Sequence, residues 1–244
     1  MNSFYLKFLK FRLKYFPRFA KKKDFRNVLE AQGIDVGEHT IFYSSPTITV
    51  DVTRPFMIHI GDYCKITAGC VILAHDYSRS VMCGIENMGN VGEAQYTWIG
   101  DNCFIGMNSI ILMGAHIGNN TIVGAGSVVS GEFEGNCVIA GNPARKICTI
   151  NEFYEKRKKR ELNAAKLYVR EYQKKYKRDP TINDMTNAFS WLYLERSEKT
   201  IEENPELFAL NGVNIDVYKK IFMNSLPTFE NFESFLGWCK TDNK

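Results

Sequence analysis

The side chains here that could move protons or hold ions are four histidines, seven cysteines and a scatter of carboxylates. Imidazole, with a reference pKa of about 6.5, is the group that accepts a proton near neutrality. His75 stands apart by its position. In Ala74-His75-Asp76-Tyr77-Ser78 it opens a polar stretch, about residues 76–96, that carries Gly84, Asn87, Gly89, Asn90 and Gly92. Turn-rich segments of this length are where proteins carry functional loops. His39, His59 and His116 fall at outward or corner positions of a regular repeat and read as solvent-exposed. The odd number of cysteines, with neither a C-x-x-C pair nor zinc-knuckle spacing, predicts reduced thiols.

What must position His75 is a six-residue period. Ile60, Ile66 and Ile72 are six apart, and after an interruption so are Ile99, Ile105, Ile111, Ile117, Val123 and Val129. Ile and Val make up 35 of the 244 residues, so six consecutive hits are not chance. Two positions before most of these sits a small residue: Cys64, Cys70, Thr97, Cys103, Ser109, Ala115, Thr121, Ser127. Only Ile58, before Ile60, departs. Residues i−2 and i share a face of a strand, so both point inward, and a Gly after the aliphatic residue removes a side chain from the corner. Three sides close one triangular coil of eighteen residues. Ile99 then stacks on Ile117, Ile105 on Val123 and Ile111 on Val129, and Cys64, Cys70 and Cys103 become small core hydrophobes. From Ile72 to Ile99 the phase breaks, which sets residues 76–96 outside the coils as an inserted loop.

Composition divides the chain near residue 150. Sixteen of the 18 glycines lie between Gly33 and Gly141. Residues 1–26 carry a net +8, 27–150 a net −6, 151–178 a net +7 and 179–244 a net −5. After the glycine-rich block, Glu152 to Tyr176 reads as a long helix that Asp179-Pro180 interrupts, with Pro205 and Pro227 as later breakpoints in a helical tail. The expected division is 1–33, a basic amphipathic helical segment; 34–150, the repeat domain; and 151–244, a C-terminal helical region. No uncharged stretch approaches the roughly 20 apolar residues of a membrane span, and charges interrupt the N-terminus every few positions, unlike a secretory signal. The chain is expected in the cytoplasm.

The repeat, the excursion and two later stretches together resemble the hexapeptide-repeat acyltransferases, the family of galactoside, maltose, xenobiotic and polysaccharide O-acetyltransferases. Those stretches are Ile122-Val123-Gly124-Ala125-Gly126-Ser127-Val128-Val129 and Val138-Ile139-Ala140-Gly141-Asn142-Pro143-Ala144-Arg145. The resemblance covers about residues 34–150. It implies a mainly β fold, a left-handed parallel β-helix with an inserted loop and a C-terminal α-helical region; the period alone gives no hand. It implies that His75 is the catalytic base, taking the proton of an acceptor hydroxyl as it attacks the thioester of acetyl-CoA, a co-substrate, without an acyl-enzyme. By carry-over, Phe104, Met107, Gly124, Ala125, Ser130 and Arg145 lie along the cofactor. Phe104 and Met107 stand where the galactoside and maltose branch commonly has Trp and Ser. Asp51 and Arg54, in Asp51-Val52-Thr53-Arg54-Pro55, and Asp76 are expected to meet the acceptor, with a salt-bridged corner as the alternative for the first two. No metal is expected: a zinc site of the carbonic anhydrase kind needs three meeting imidazoles, and His75 with His116 leaves it one short.

The expected activity is transfer of an acetyl group to a hydroxyl of a sugar or polysaccharide precursor, by a homotrimer that shares its sites between subunits. The alternatives are a xenobiotic (antibiotic) acetyltransferase, an amino-sugar N-acetyltransferase, or a non-catalytic β-helix scaffold whose C-terminal helices recruit a partner. In residues 1–23, Lys7, Lys10, Lys14, Arg18 and Lys21 follow helical spacing among aromatics, with a break at Pro17. We read this segment as a cap over the open end of the prism, with contact to an anionic membrane on the cytoplasmic face as the alternative. The run Lys156-Arg157-Lys158-Lys159-Arg160 reads as a solvated helix face or a contact for CoA phosphates, and nucleic acid is not an expected partner.

Overall fold

The structure is a computed structural model that describes residues 3–15, 22–185, 189–208 and 212–241. The chain forms two compact units, Met1–Phe153 and Tyr154–Lys244. In the first, helices α1 (Ser3–Tyr15) and α2 (Lys22–Ala31) precede a run of short strands. These are β1 (Asp35–Val36), β2 (Ile41–Phe42), β3 (Thr49–Val50), β4 (Ile58–Ile60), β5 (Lys65–Ile66) and β6 (Val71–Ile72). After the excursion, which contains the short helix α3 (Arg79–Cys83), come β7 (Thr97–Ile99), β8 (Phe104–Ile105), β9 (Ile110–Ile111), β10 (His116–Ile117), β11 (Ile122–Val123), β12 (Val128–Val129) and β13 (Glu132–Phe133). The hairpin β14 (Cys137–Gly141) and β15 (Ala144–Thr149) ends the run.

Every third strand pairs in parallel, which builds three walls. The first wall is β1-β4-β7-β10-β13, the second β2-β5-β8-β11-β14-β15 and the third β3-β6-β9-β12. This is the left-handed parallel β-helix expected, and a helical region follows it. The ladders hold in register: Ile99 pairs with Ile117, Ile105 with Val123 and Ile111 with Val129. Ile60 pairs directly with Ile99, so the stack closes across the excursion as though it were absent. All eight small residues two positions before the aliphatic ones are fully buried, Cys64, Cys70 and Cys103 among them. At roughly 1.5–3 kcal/mol for each fully buried Ile or Val, this column is the dominant stabilising element of the unit.

The corners divide their labour between two residue types. Gly61 follows Ile60 because the next coil passes too close for a side chain: a Cβ there would lie 2.6 Å from the carbonyl carbon of Gly100. The left-handed turn comes two residues later, often on asparagine, which tolerates positive φ. Asn102, Asn120 and Asn136 have φ of 53°, 56° and 49°. Their amides form a ladder, Asn102 Nδ2 donating to Asn120 Oδ1 and Asn120 Nδ2 to Asn136 Oδ1, both at 2.9 Å. The last strand departs from the repeat. β15 turns back antiparallel on β14 and covers the final edge of the second wall.

At the other end α2 covers the first coil. Leu29 joins the aliphatic column and the ring of Phe25 meets that of Phe42 edge-on at 5.0 Å. The cap is therefore α2, with α1 packed on it through Leu9 and Leu13 against Val28. The expected break at Pro17, and Arg18 and Lys21 with it, lie outside the described residues.

The second unit is helical. Helix α4 (Ile150–Tyr176) starts on a reciprocal cap, Thr149 Oγ1 accepting from Glu152 N and Glu152 Oε2 from Thr149 N, and stops before Asp179-Pro180. Then follow α5 (Glu198–Glu203), α6 (Pro205–Phe208), α7 (Ile215–Met223) and α8 (Phe232–Lys240). Their core gathers Ala165, Val169, Leu192, Tyr193, Phe222 and Phe235. Residues 156–160 lie on an exposed face of α4.

Candidate active site

β6 ends at Ile72, and the coil would next turn the edge between the third and first walls. Instead the chain leaves the prism just after Ala74, which is fully buried, and His75 is the first residue outside the core. One coil earlier the same edge is turned by residues 51–57, directly after β3, so Asp51 lies beside the point of departure. Asp51 N donates to Ile72 O at 2.8 Å, which fixes the two corners against each other.

The contacts made there form a small closed network. The ring Nδ1 of His75 sits in close contact with Asp51 Oδ2 and 2.8 Å from Thr53 Oγ1. Ala74 N donates to Asp51 Oδ2 at 3.0 Å. Thr53 donates to the other oxygen, Oδ1, from its backbone N at 2.9 Å and from its hydroxyl at 2.7 Å. Burial opposes ionisation of Asp51, yet the Thr53 N–H, the His75 ring, the Thr53 hydroxyl and the Ala74 N–H outweigh it and hold the carboxyl at about 2. An ionised carboxylate only accepts, so the hydrogen of the neutral imidazole is on Nδ1 and the lone pair is on Nε2. The network therefore fixes both the orientation and the tautomer of the imidazole.

His75 borders a polar cleft of about 350 Å3. Thr53, Arg54, Asp76, Tyr77, Arg79 and Glu93 also line it, with Met82, Val91 and Met113 as its apolar part. The rings of His75 and Tyr77 meet edge to face at 5.1 Å. Arg54 Nη1 donates to Glu93 O at 2.6 Å, tying the far end of the excursion to the Asp51 corner. Asp76 accepts from the backbone and hydroxyl of Ser78, and these bonds keep its carboxylate below the usual range. The structure thus gathers Arg54, His75 and Asp76 at one cleft, with Asp51 behind it.

Asp51 carries two expectations from the sequence, contact with the acceptor and a salt-bridged corner. It is buried, both oxygens are taken, and it does not line the cleft. Thr53 was not singled out from sequence; its only local signal is the Asp-x-Thr spacing, which lets the Thr hydroxyl and N–H fold back on the Asp carboxylate.

The residues expected along the cofactor fall into two groups. Phe104 and Met107 are exposed on β8 and on the corner after it, which joins the second and third walls. Gly126 N donates to Met107 O at 2.8 Å, so Ala125 lies on the same corner one coil on. Arg145, also exposed, pairs across β14–β15 with Ala140 on this edge. Gly124 is explained by packing: a Cβ there would lie 2.9 Å from that of Ala140. Its neighbour Gly126, at φ +69°, has open space where a Cβ would be, which leaves the surface bare there. Ser130 departs from the group. It follows β12 and sits on the edge between the third and first walls, the edge of His75. Within one chain the third wall separates His75 from Phe104, Met107, Ala125 and Arg145.

The remaining histidines are surface pairs. His39 Nδ1 meets Asp62 at 2.8 Å and stacks on Tyr63; His59 Nδ1 meets Asp35 at 2.6 Å and stacks on Trp98. His116 lies farther along the same face of Trp98's wall, 6.1 Å from its ring. Among the described residues, no three His, Cys, Asp or Glu side chains are grouped to hold a metal ion, and no helix is long and apolar enough to cross a membrane.

Comparison with known proteins finds the same repeat. A family model described as "Hexapeptide repeat of succinyl-transferase" matches residues 96–130. Protein CapG of Staphylococcus aureus is 36% identical over 164 residues, which cover 64% of this chain and 93% of that protein. Galactoside O-acetyltransferase of Escherichia coli (strain K12) is 44% identical over 54 residues, 22% of this chain and 27% of that one. The crystal structure of a maltose O-acetyltransferase from Clostridium difficile 630 is similar over 59% of this chain and 84% of its own, at 24% identity and a TM-score of 0.42.

Proposed function

The chain belongs to the hexapeptide-repeat acetyltransferase family and is an acyltransferase, and from that premise we propose that it moves the acetyl group of acetyl-CoA to a hydroxyl of a saccharide, with His75 as general base. The observation that carries the reading is the Asp51–Thr53–His75 network. It leaves Nε2 as the imidazole nitrogen able to take a proton. In the reaction Nε2 removes the acceptor's hydroxyl proton as the oxygen bonds to the thioester carbon. The carbon–sulfur bond then breaks, and the imidazolium returns the proton to the departing thiolate. Asp51, ionised throughout, stabilises the imidazolium between the two steps. Backbone N–H groups of the excursion or the adjacent coil supply the oxyanion contacts.

Acetyl-CoA fits the edge between the second and third walls: bare at Gly126, flanked by exposed Phe104 and Met107, and with Arg145 available to a phosphate. That edge and the His75 edge lie on either side of the third wall, which supports a working homotrimer in which one subunit's base serves the carrier held along its neighbour. A sedimentation mass of three times 28.0 kDa is expected. The polar cleft and the galactoside O-acetyltransferase similarity, which spans about a quarter of that protein, support a saccharide acceptor. The deciding experiment is CoA-thiol release with a panel of saccharides, for wild type and His75→Ala. The variant is expected to keep its fold and lose at least about 100-fold in kcat. Equal rates in the two would refute the assignment of the base, and no release with any acceptor, together with no binding of acetyl-CoA, would refute the proposed activity.

A further inference from the structure

Helix α1 presents four stripes, and two of them hold it to the rest of the unit. At about 100° per residue, Leu6, Leu9 and Leu13 share one stripe. That stripe packs on α2, with Leu9 fully buried in a cluster that includes Phe25 and Val28. About 160° round the helix from it lie Phe4, Phe8, Phe11 and Tyr15, which are 80%, 48%, 53% and 58% exposed. Lys7, Lys10 and Lys14 form the stripe on one flank. On the other flank Arg12 is ion-paired to the buried Asp24 of α2, and its guanidinium lies 5.3 Å from the ring of Phe8. That pair and the leucine stripe hold α1 so that its aromatic face looks away from the prism.

From this arrangement we propose that α1 is an in-plane docking helix for an anionic lipid bilayer. Large rings on one stripe, bordered by lysines and with no acidic residue anywhere in the helix, match the two layers of a membrane interface. The rings enter the boundary between headgroups and acyl chains, and the ammonium groups reach the phosphates. The charge is local: residues 1–26 carry +8 while the repeat domain, 27–150, carries −6. An anionic surface therefore attracts this end of the first unit and repels the remainder. A second copy of the helix is the poorer occupant, since its own lysine stripe would meet like charge. The proposal is independent of the reaction assigned to His75.

The test is flotation of the full chain with vesicles of phosphatidylcholine alone or with 30% phosphatidylglycerol, at low and at high salt. Wild type is expected to float with the anionic vesicles and to lose at least about 10-fold in partitioning at high salt. Lys7→Glu/Lys10→Glu/Lys14→Glu and Phe4→Ser/Phe8→Ser/Phe11→Ser are each expected to lose about 100-fold or more. All these side chains are exposed, so both variants are expected to fold, which circular dichroism and a cooperative melt check. Wild type remaining unbound to anionic vesicles, or either variant floating as wild type does, overturns the proposal. Failure of wild type to float, together with a smaller sedimentation mass for the phenylalanine variant, would instead make the face a contact between subunits.

Discussion

Asp51→Asn tests the core of the mechanism with the smallest change of shape. Four donors meet the carboxylate: the N–H and hydroxyl of Thr53 at Oδ1, and Ala74 N–H and His75 Nδ1 at Oδ2. Two of them are backbone groups that cannot reverse, and they sit on different oxygens. An asparagine amide has one acceptor and one NH2, so its NH2 must face one of them. With the NH2 toward Ala74 and His75, the imidazole is driven to the tautomer with hydrogen on Nε2, and the base is lost. With the NH2 toward Thr53, the tautomer survives, but the N–H of Thr53 faces another donor. A general base contributes roughly 10²–10⁴-fold, so kcat is expected to fall at least about 100-fold, or about 2.7 kcal/mol. KM for acetyl-CoA should change less than about twofold, because Asp51 lies on the edge of His75, across the third wall from the edge proposed for the carrier. The same residue sets a stability term. Its pKa of about 2, against a reference value of 3.8, corresponds to about 2 kcal/mol at neutral pH. The folded-state pKa is the lower one, so this stabilisation is complete above about pH 4 and is lost as pH falls toward 2. Urea unfolding at pH 7 and at pH 3, beside steady-state CoA release, reads both effects. Asp51→Asn with wild-type kcat, or with a wild-type unfolding midpoint at pH 7, would refute the reasoning. So would a double variant with His75→Ala that is much slower than His75→Ala alone, since the two groups act as one unit.

Three substitutions separate the prism from its surface. Ile105→Ala, in the ladder between Ile66 and Val123, should cost about 3 kcal/mol in equilibrium unfolding. Its neighbour Phe104→Ala, exposed on the same strand, should leave stability within about 0.5 kcal/mol and raise KM for acetyl-CoA about 10-fold; an unchanged KM would remove Phe104 from the carrier's path. Gly61→Ala pushes a Cβ to within 2.7 Å of two backbone atoms of the next coil, and a destabilisation of about 2 kcal/mol should appear as a lower melting temperature.

The column was legible in the sequence because a β-helix is nearly one-dimensional. Each coil repeats the demand of the last, so inward aliphatic and small residues recur at fixed spacing, and all eight small positions are buried as that spacing requires. The same regularity exposed the excursion, because a broken phase can only mean chain that leaves the stack, and it put His75 at the point of departure. Spacing could not reveal the partner of His75. Asp51 lies 24 residues upstream, and only the stacking of two irregular corners, neither on the repeat, brings its carboxylate to the ring. Nor could sequence divide the glycines: the next coil places Ala140 beside Gly124, whereas Gly126 turns at a φ of +69° with open space beside it. The N-terminal segment shows the same division. Its basic and aromatic residues were plain, but which face of α1 meets water was decided by the docking of Leu6, Leu9 and Leu13 on α2. Periodicity records what each residue needs locally; contacts between irregular segments depend on where the whole chain has carried them.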